Sequence, residues 1–162
     1  MSEHRISLIV NGRERELWVD AQQSLLEVLR TDGGATEVKL GCGEGVCGTC
    51  AVLLDGEPVN ACLVFAVQVD GASITTVRGL APEGELHPLQ KTFLEHAGSQ
   101  CGFCTPGMIL TAHWYLERHP EAGREEIRAA LAGNLCRCTG YTKILDAVEA
   151  YRDACQEAHI GS

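Results

Sequence analysis

Apolar and polar positions alternate with a period of two through the first half of the chain, then change to a helical period after residue 78. Ile6 to Val10 and Glu14 to Val19 flank Asn11-Gly12, a strong hairpin signal. Ser24 and Glu27 form a capping-box pattern ahead of Leu25, Leu26, Val28 and Leu29, which predicts a helix of about two turns from Ser24, ending between Thr31 and Gly34. A glycine-rich stretch from Gly41 to Gly48 precedes an apolar strand at Ala51 to Leu54, an Asp55-Gly56 turn and a second strand around Val59. Ser73 to Val77 reads as the last strand.

From Arg78 the texture changes. Gly79 to Glu85, with Pro82 and Gly84, reads as a linker, dividing the chain into residues 1–78, a 79–85 connection and residues 86–162. Beyond it run four apolar stripes: Leu86, Leu89, Phe93 and Ala97; Met108, Ala112, Tyr115 and Leu116; Ile127 and Leu131; and Ile144, Val148, Tyr151 and Cys155. Four short helices predict a small bundle. Cys104-Thr105-Pro106 and Cys138-Thr139-Gly140 form a weak repeat in which a cysteine precedes a threonine cap and a helix start, with Pro106 suited to a first turn. Each cysteine pair is thereby expected at a helix N-terminus, which favours negative charge.

Halves this small, in a chain of 162 residues, bury limited cores and need a staple. A composition of 45% hydrophobic and 22% charged residues argues against disorder and against a membrane protein. The net charge of −9 carries no basic cluster, which argues against nucleic acid or an anionic membrane as partner. Met1 to Val10 has neither a secretory apolar stretch nor a twin-arginine signal, so a cytoplasmic location is expected. Disulfides do not persist there, and nine cysteines then point to metal. Eight fall into two sets of four. Cys155 stands apart on the face of Ile144 and is expected to be a buried packing residue.

Cys42, Cys47, Cys50 and Cys62 are spaced C-x4-C-x2-C-x11-C, and the first three follow the plant-type 2Fe-2S loop. Gly41, Gly43, Gly45 and Gly48 suit a loop that needs positive φ and close backbone approach to sulfur. Structural zinc prefers two short hooks, and suits this set less well. Cys101 and Cys104 (C-x2-C) with Cys136 and Cys138 (C-x-C) make a second four-thiolate set, for which spacing alone leaves zinc a serious rival to iron.

The runs Gly41-Cys42-Gly43-Glu44-Gly45-Val46-Cys47-Gly48-Thr49-Cys50, Gln100-Cys101-Gly102-Phe103-Cys104-Thr105-Pro106-Gly107-Met108 and Gly133-Asn134-Leu135-Cys136-Arg137-Cys138-Thr139-Gly140-Tyr141 together closely resemble the small iron-sulfur subunit of the molybdenum hydroxylases, the xanthine oxidase family. The resemblance spans nearly the whole chain. It implies an α+β protein with an N-terminal β-grasp, ferredoxin-like domain and a four-helix domain, each holding a 2Fe-2S cluster. It also implies a large subunit carrying molybdopterin beside the second cluster and a medium subunit carrying FAD toward the first, as a heterotrimer or a dimer of heterotrimers. Gln100 matches the family's glutamine beside the pterin, and Cys138 the ligand that also touches the pterin amino group. Thr49 stands where the family usually has alanine and Ala51 where it often has threonine, and Ala35 to Lys39 departs from the family's frequent threonine-glycine-threonine-lysine run.

The six histidines His4, His87, His96, His113, His119 and His159 show no ligand spacing and read as surface or packing residues. Trp114 and Tyr115 read as packing residues, and Phe103 and Arg137 as shields of the second set. With no nucleophile and base in view, the chain is expected to conduct electrons while the substrate chemistry lies in the large subunit. A free-standing ferredoxin-like carrier and a zinc-stapled interaction module are the rival readings.

Overall fold

Asn11 (φ 51°) and Gly12 (φ 76°) both take the left-handed conformation that a two-residue hairpin turn demands. They join β1 (Glu3–Val10) to β2 (Arg13–Asp20) in an antiparallel register with Ile6 opposite Leu17. Asp55 (φ 49°) and Gly56 (φ 86°) do the same between β3 (Ala51–Leu54) and β4 (Glu57–Asn60). A computed structural model describes residues 3–160, the last two by their backbone alone; Met1, Ser2 and the His159 side chain lie outside the described residues. Among these it forms five α-helices and one five-stranded sheet of order β2-β1-β5-β3-β4, in which β5 (Ser73–Thr75) runs parallel to β1.

Helix α1 (Leu25–Thr31) starts as its sequence predicts, with Ser24 and Glu27 capping each other's backbone reciprocally. Its four apolar residues fill a core under the sheet with Leu8, Val52 and Ile74. The last strand stops two residues short of the expected Val77. Asn11 explains this: its side chain accepts from Thr76 N (2.8 Å) and donates to Thr76 Oγ1 (2.9 Å), diverting the chain into a 3-10 turn at Val77–Leu80 that crosses into the expected linker. Cys62 likewise sits in a 3-10 turn, Ala61–Leu63, rather than in a strand.

Strand β3 is buried on both faces, because successive side chains point to opposite sides. Val52 joins the core with α1, whereas Leu53 joins a second core with Val77, Phe93, Met108 and Val148. Four helices build that second core: α2 (Pro88–Glu95), α3 (Thr105–Arg118), α4 (Arg124–Ala130) and α5 (Thr142–Ile160). Their predicted stripes hold at the centres, where Leu89, Phe93, Met108, Ile127, Leu131 and Ile144 are buried. They fail at the ends of the first: Leu86 is exposed before α2, and Ala97 is exposed in a left-handed conformation after it. Cys155 is half-buried rather than buried and meets the Tyr151 side chain.

The repeat of cysteine and helix start is only half realised. Cys104 caps α3, with Pro106 in its first turn. After Cys138, however, Gly140 (φ 62°) and Tyr141 (φ 68°) are both left-handed, and α5 begins only at Thr142. Thr139 therefore closes a turn instead of capping a helix.

Candidate metal centres

The loop between α1 and β3 brings Cys42, Cys47 and Cys50 together, and the turn after β4 adds Cys62. Gly43, Gly45 and Gly48 all have φ between 67° and 74°, the left-handed region that a Cβ disfavours. Gly41 serves closeness instead: a Cβ there would lie 2.7 Å from Cys47 Sγ. Amides of Glu44 and Val46 donate to Cys42 Sγ at 3.3 and 3.4 Å. Donation from Glu44, Cys47 and Val46 holds the Cys42 thiol down to about 6, so the loop is wired to receive a thiolate. Cys50, only 2% exposed, is pushed up to about 12, first by burial and then by its neighbour Cys62.

The second set forms where the start of α3 meets the segment before α5. Cys101 and Cys138 are exposed with sulfurs 3.5 Å apart, while Cys104 and Cys136 interact behind them, half-buried. Burial, then Cys136, pushes Cys104 up to about 12. Cys101 is lowered, first by the Phe103 amide, and Cys138 is raised by Cys101. Burial opposes ionisation of Cys136, but Thr139 and the amides of Thr139 and Cys138 outweigh it and lower that thiol.

Within each set the cysteines interact with one another: Cys42 with Cys47, Cys50 with both Cys62 and Cys47, and Cys104 with both Cys136 and Cys101, while the Cys101 and Cys138 sulfurs lie 3.5 Å apart. Among the described residues, no three Cys, His, Asp or Glu side chains converge on a single-ion site. Buried Cys50 and half-buried Cys104 become tolerable as thiolates only beside a cation, which iron would supply. The donor set, the amide-lined sulfurs and the side-chain-free Gly41 all fit an iron-sulfur cluster.

The two sets share a junction. Leu135 N donates to Cys47 O at 2.9 Å, and Asn134 Nδ2 donates to Gly48 O at 3.0 Å from a side chain that is 4% exposed overall. A Cβ on Gly48 would meet Gly133 O at 2.4 Å, and one on Gly107 would meet Gly48 O at 2.4 Å, so glycine at both positions lets the loops touch. Tyr141 closes the junction from the other side: its hydroxyl donates to Asn134 O and accepts from Cys136 N, both at 3.0 Å.

Residues 8–73 match the family model described as the 2Fe-2S iron-sulfur cluster binding domain, and residues 76–149 that described as the 2Fe-2S binding domain. The nicotinate dehydrogenase small FeS subunit of Eubacterium barkeri is 46% identical over 155 residues, covering 96% of this chain and 99% of that one. The chain is a molybdenum-hydroxylase small iron-sulfur subunit by family. The nicotine 6-hydroxylase small subunit of Paenarthrobacter nicotinovorans, another relative, is 50% identical over 143 residues, covering 88% of this chain and 86% of that one. Among solved structures, quinoline 2-oxidoreductase from Pseudomonas putida 86 superposes with a TM-score of 0.90 at 44% identity, covering 96% of this chain and 97% of that one. This small iron-sulfur subunit thus transfers electrons within an oxidoreductase complex.

The eight cysteines stand out in the sequence, but the groups that surround them do not. Asn134, Leu135 and Tyr141 were read only as parts of a motif, and their contacts with Cys47 and Gly48 have no local signature. His87, expected as a surface or packing residue, also caps α2: its Nδ1 accepts from Leu89 N at 3.3 Å, and its ring packs on His113 at 4.9 Å. Trp114 and Tyr115 pack against Arg118 and His119. Phe103, Arg137 and Gln100 are exposed around the second set.

Proposed function

We propose that Cys42, Cys47, Cys50 and Cys62 hold one 2Fe-2S cluster, that Cys101, Cys104, Cys136 and Cys138 hold the other, and that electrons pass from molybdopterin in a large partner subunit to FAD in a medium one. The observation that carries this reading is the loop around Cys42, whose Sγ accepts from the Glu44 and Val46 amides at 3.3 and 3.4 Å, beside a Gly41 where a Cβ would lie 2.7 Å from Cys47 Sγ. Two irons call for four thiolates, two on each, and each set offers four free cysteines. When bound, each cluster supplies a one-electron centre.

The chain's own residues do the rest. The Glu44 and Val46 amides neutralise charge on Cys42, and the Leu135 N–Cys47 O bond links a ligand of one set to the residue beside Cys136, a ligand of the other. That single hydrogen bond is a short route between the sets. Exposure of Cys101, Cys138 and Gln100 supports a pterin contact at that edge, with Gln100 and Cys138 as the contacting residues.

We further assign residues 1–78 as a β-grasp domain, 79–85 as a linker and 86–162 as a four-helix domain, within a cytoplasmic heterotrimer. No described helix is long and apolar enough to cross a membrane. Serine substitutions test the order of the clusters in the purified complex. Cys47→Ser should leave the molybdenum-side cluster reducible by substrate, whereas Cys104→Ser should stop electrons from reaching either. Reduction of the first cluster by substrate in the Cys104→Ser complex would overturn the order.

A further inference from the structure

We propose that Thr49 raises the reduction potential of the first cluster by donating its hydroxyl proton to the Cys47 sulfur; this rests on Cys42, Cys47, Cys50 and Cys62 being that cluster's ligands. Thr49 Oγ1 lies 3.2 Å from Cys47 Sγ and 3.3 Å from the Lys39 carbonyl oxygen. Hydroxyl-to-oxygen hydrogen bonds span roughly 2.5–3.0 Å, so the contact with Lys39 is long, while 3.2 Å is close for the larger sulfur atom. A ligated Cys47 has no proton to give. The hydroxyl is then the donor and the sulfur the better acceptor.

The surroundings hold this contact and exclude competitors. Thr49 is 5% exposed, which leaves little room for water to replace its hydroxyl. Lys39 N donates to Thr49 O at 3.3 Å and fixes the backbone beside it. Gly41 supplies the space: a Cβ there would fall 2.6 Å from Thr49 Oγ1 and 2.7 Å from Cys47 Sγ, driving the two apart.

When one electron passes from the second cluster to the first, no bond forms or breaks, and the first cluster gains one negative charge shared by its irons and sulfurs. A hydroxyl dipole with its positive end on a ligand sulfur stabilises the reduced state more than the oxidised one, and the potential rises. The second set has a hydroxyl of its own, with Thr139 Oγ1 3.1 Å from Cys136 Sγ. Each of the two ligands flanking the junction therefore meets a threonine. Removing Thr49 alone tilts the sharing of an electron toward the second cluster.

The test is a redox titration of the purified complex, followed by low-temperature paramagnetic resonance. Thr49→Val and Thr49→Ala should each shift the electron-sharing equilibrium roughly tenfold toward the second cluster, which is a fall of about 59 mV in the first cluster's potential for a one-electron couple. The second potential should stay in place, and Thr49→Ser should restore the first. The inference is overturned if either hydroxyl-free variant keeps both cluster signals with the first potential unmoved, or if the serine variant titrates like alanine. Absence of any reducible iron signal from the wild-type complex would instead overturn the cluster assignment beneath it.

Discussion

Tyr141 carries two tasks at one position. Its backbone sits at φ 68°, a region that few residues with a Cβ occupy, and its hydroxyl is bonded on both sides, to Asn134 O and from Cys136 N. The bonds hold a conformation that the backbone alone disfavours. Tyr141→Phe keeps the ring and loses both bonds, so it should cost about 1–3 kcal/mol. Urea unfolding should show the second cluster's absorbance lost at lower denaturant while the first is less affected; an unchanged midpoint would count against the clamp. None of this was legible in the sequence, where Tyr141 was one letter of a motif. Cysteines declare themselves by chemistry and spacing, but a hydroxyl that bonds backbone atoms five and seven residues away has no pattern to read.

Among the elements, those decided by adjacent residues are legible in the sequence and those decided by distant contacts are not. Both hairpin turns and the α1 capping box are decided by adjacent residues, and all three form as expected. The end of β5 is decided by Asn11, sixty-five residues from Thr76, and the late start of α5 by the left-handed pair Gly140 and Tyr141. The contact between α3 and the first loop is equally non-local. Gly107→Ala would press a methyl group to 2.4 Å from Gly48 O, whereas Gly133→Ala meets nothing within 4 Å. The first should destabilise the junction by about 1–3 kcal/mol and slow electron passage between clusters, and the second should be close to neutral. Stopped-flow reduction of the two variants, side by side, separates wedge from bystander.

The helices carry a pH dependence of their own. His87 and His113 are both lowered by burial, with His113 lowering His87 further and Glu117 raising each, beside Tyr151. An unfolded chain then binds protons that the folded one resists, so stability should fall as pH drops below the ordinary histidine value of about 6.5. His87→Asn keeps a capping side chain and removes one titrating ring. Its thermal midpoint should vary less between pH 7 and pH 5 than the wild type's; an equal slope would refute the assignment.

Over the whole molecule, two small cores meet across β3, and the two cysteine sets meet just where those cores do. Domains this short are rarely stable on a core alone, so metal binding should contribute to folding as well as to conduction. The cysteine spacing and the family motifs are legible in the sequence, while the strand buried on both faces and the glycine-lined junction appear only in the three-dimensional contacts. The central claim is that each cysteine set holds two irons. Metal and acid-labile sulfide analysis of the anaerobically purified complex, with paramagnetic resonance after dithionite reduction, tests it directly. Iron and sulfide for two clusters and two distinct one-electron signals are expected, with Cys42→Ser altering only one of them. Zinc in place of iron at either set, or a single signal from fully loaded protein, would contradict it.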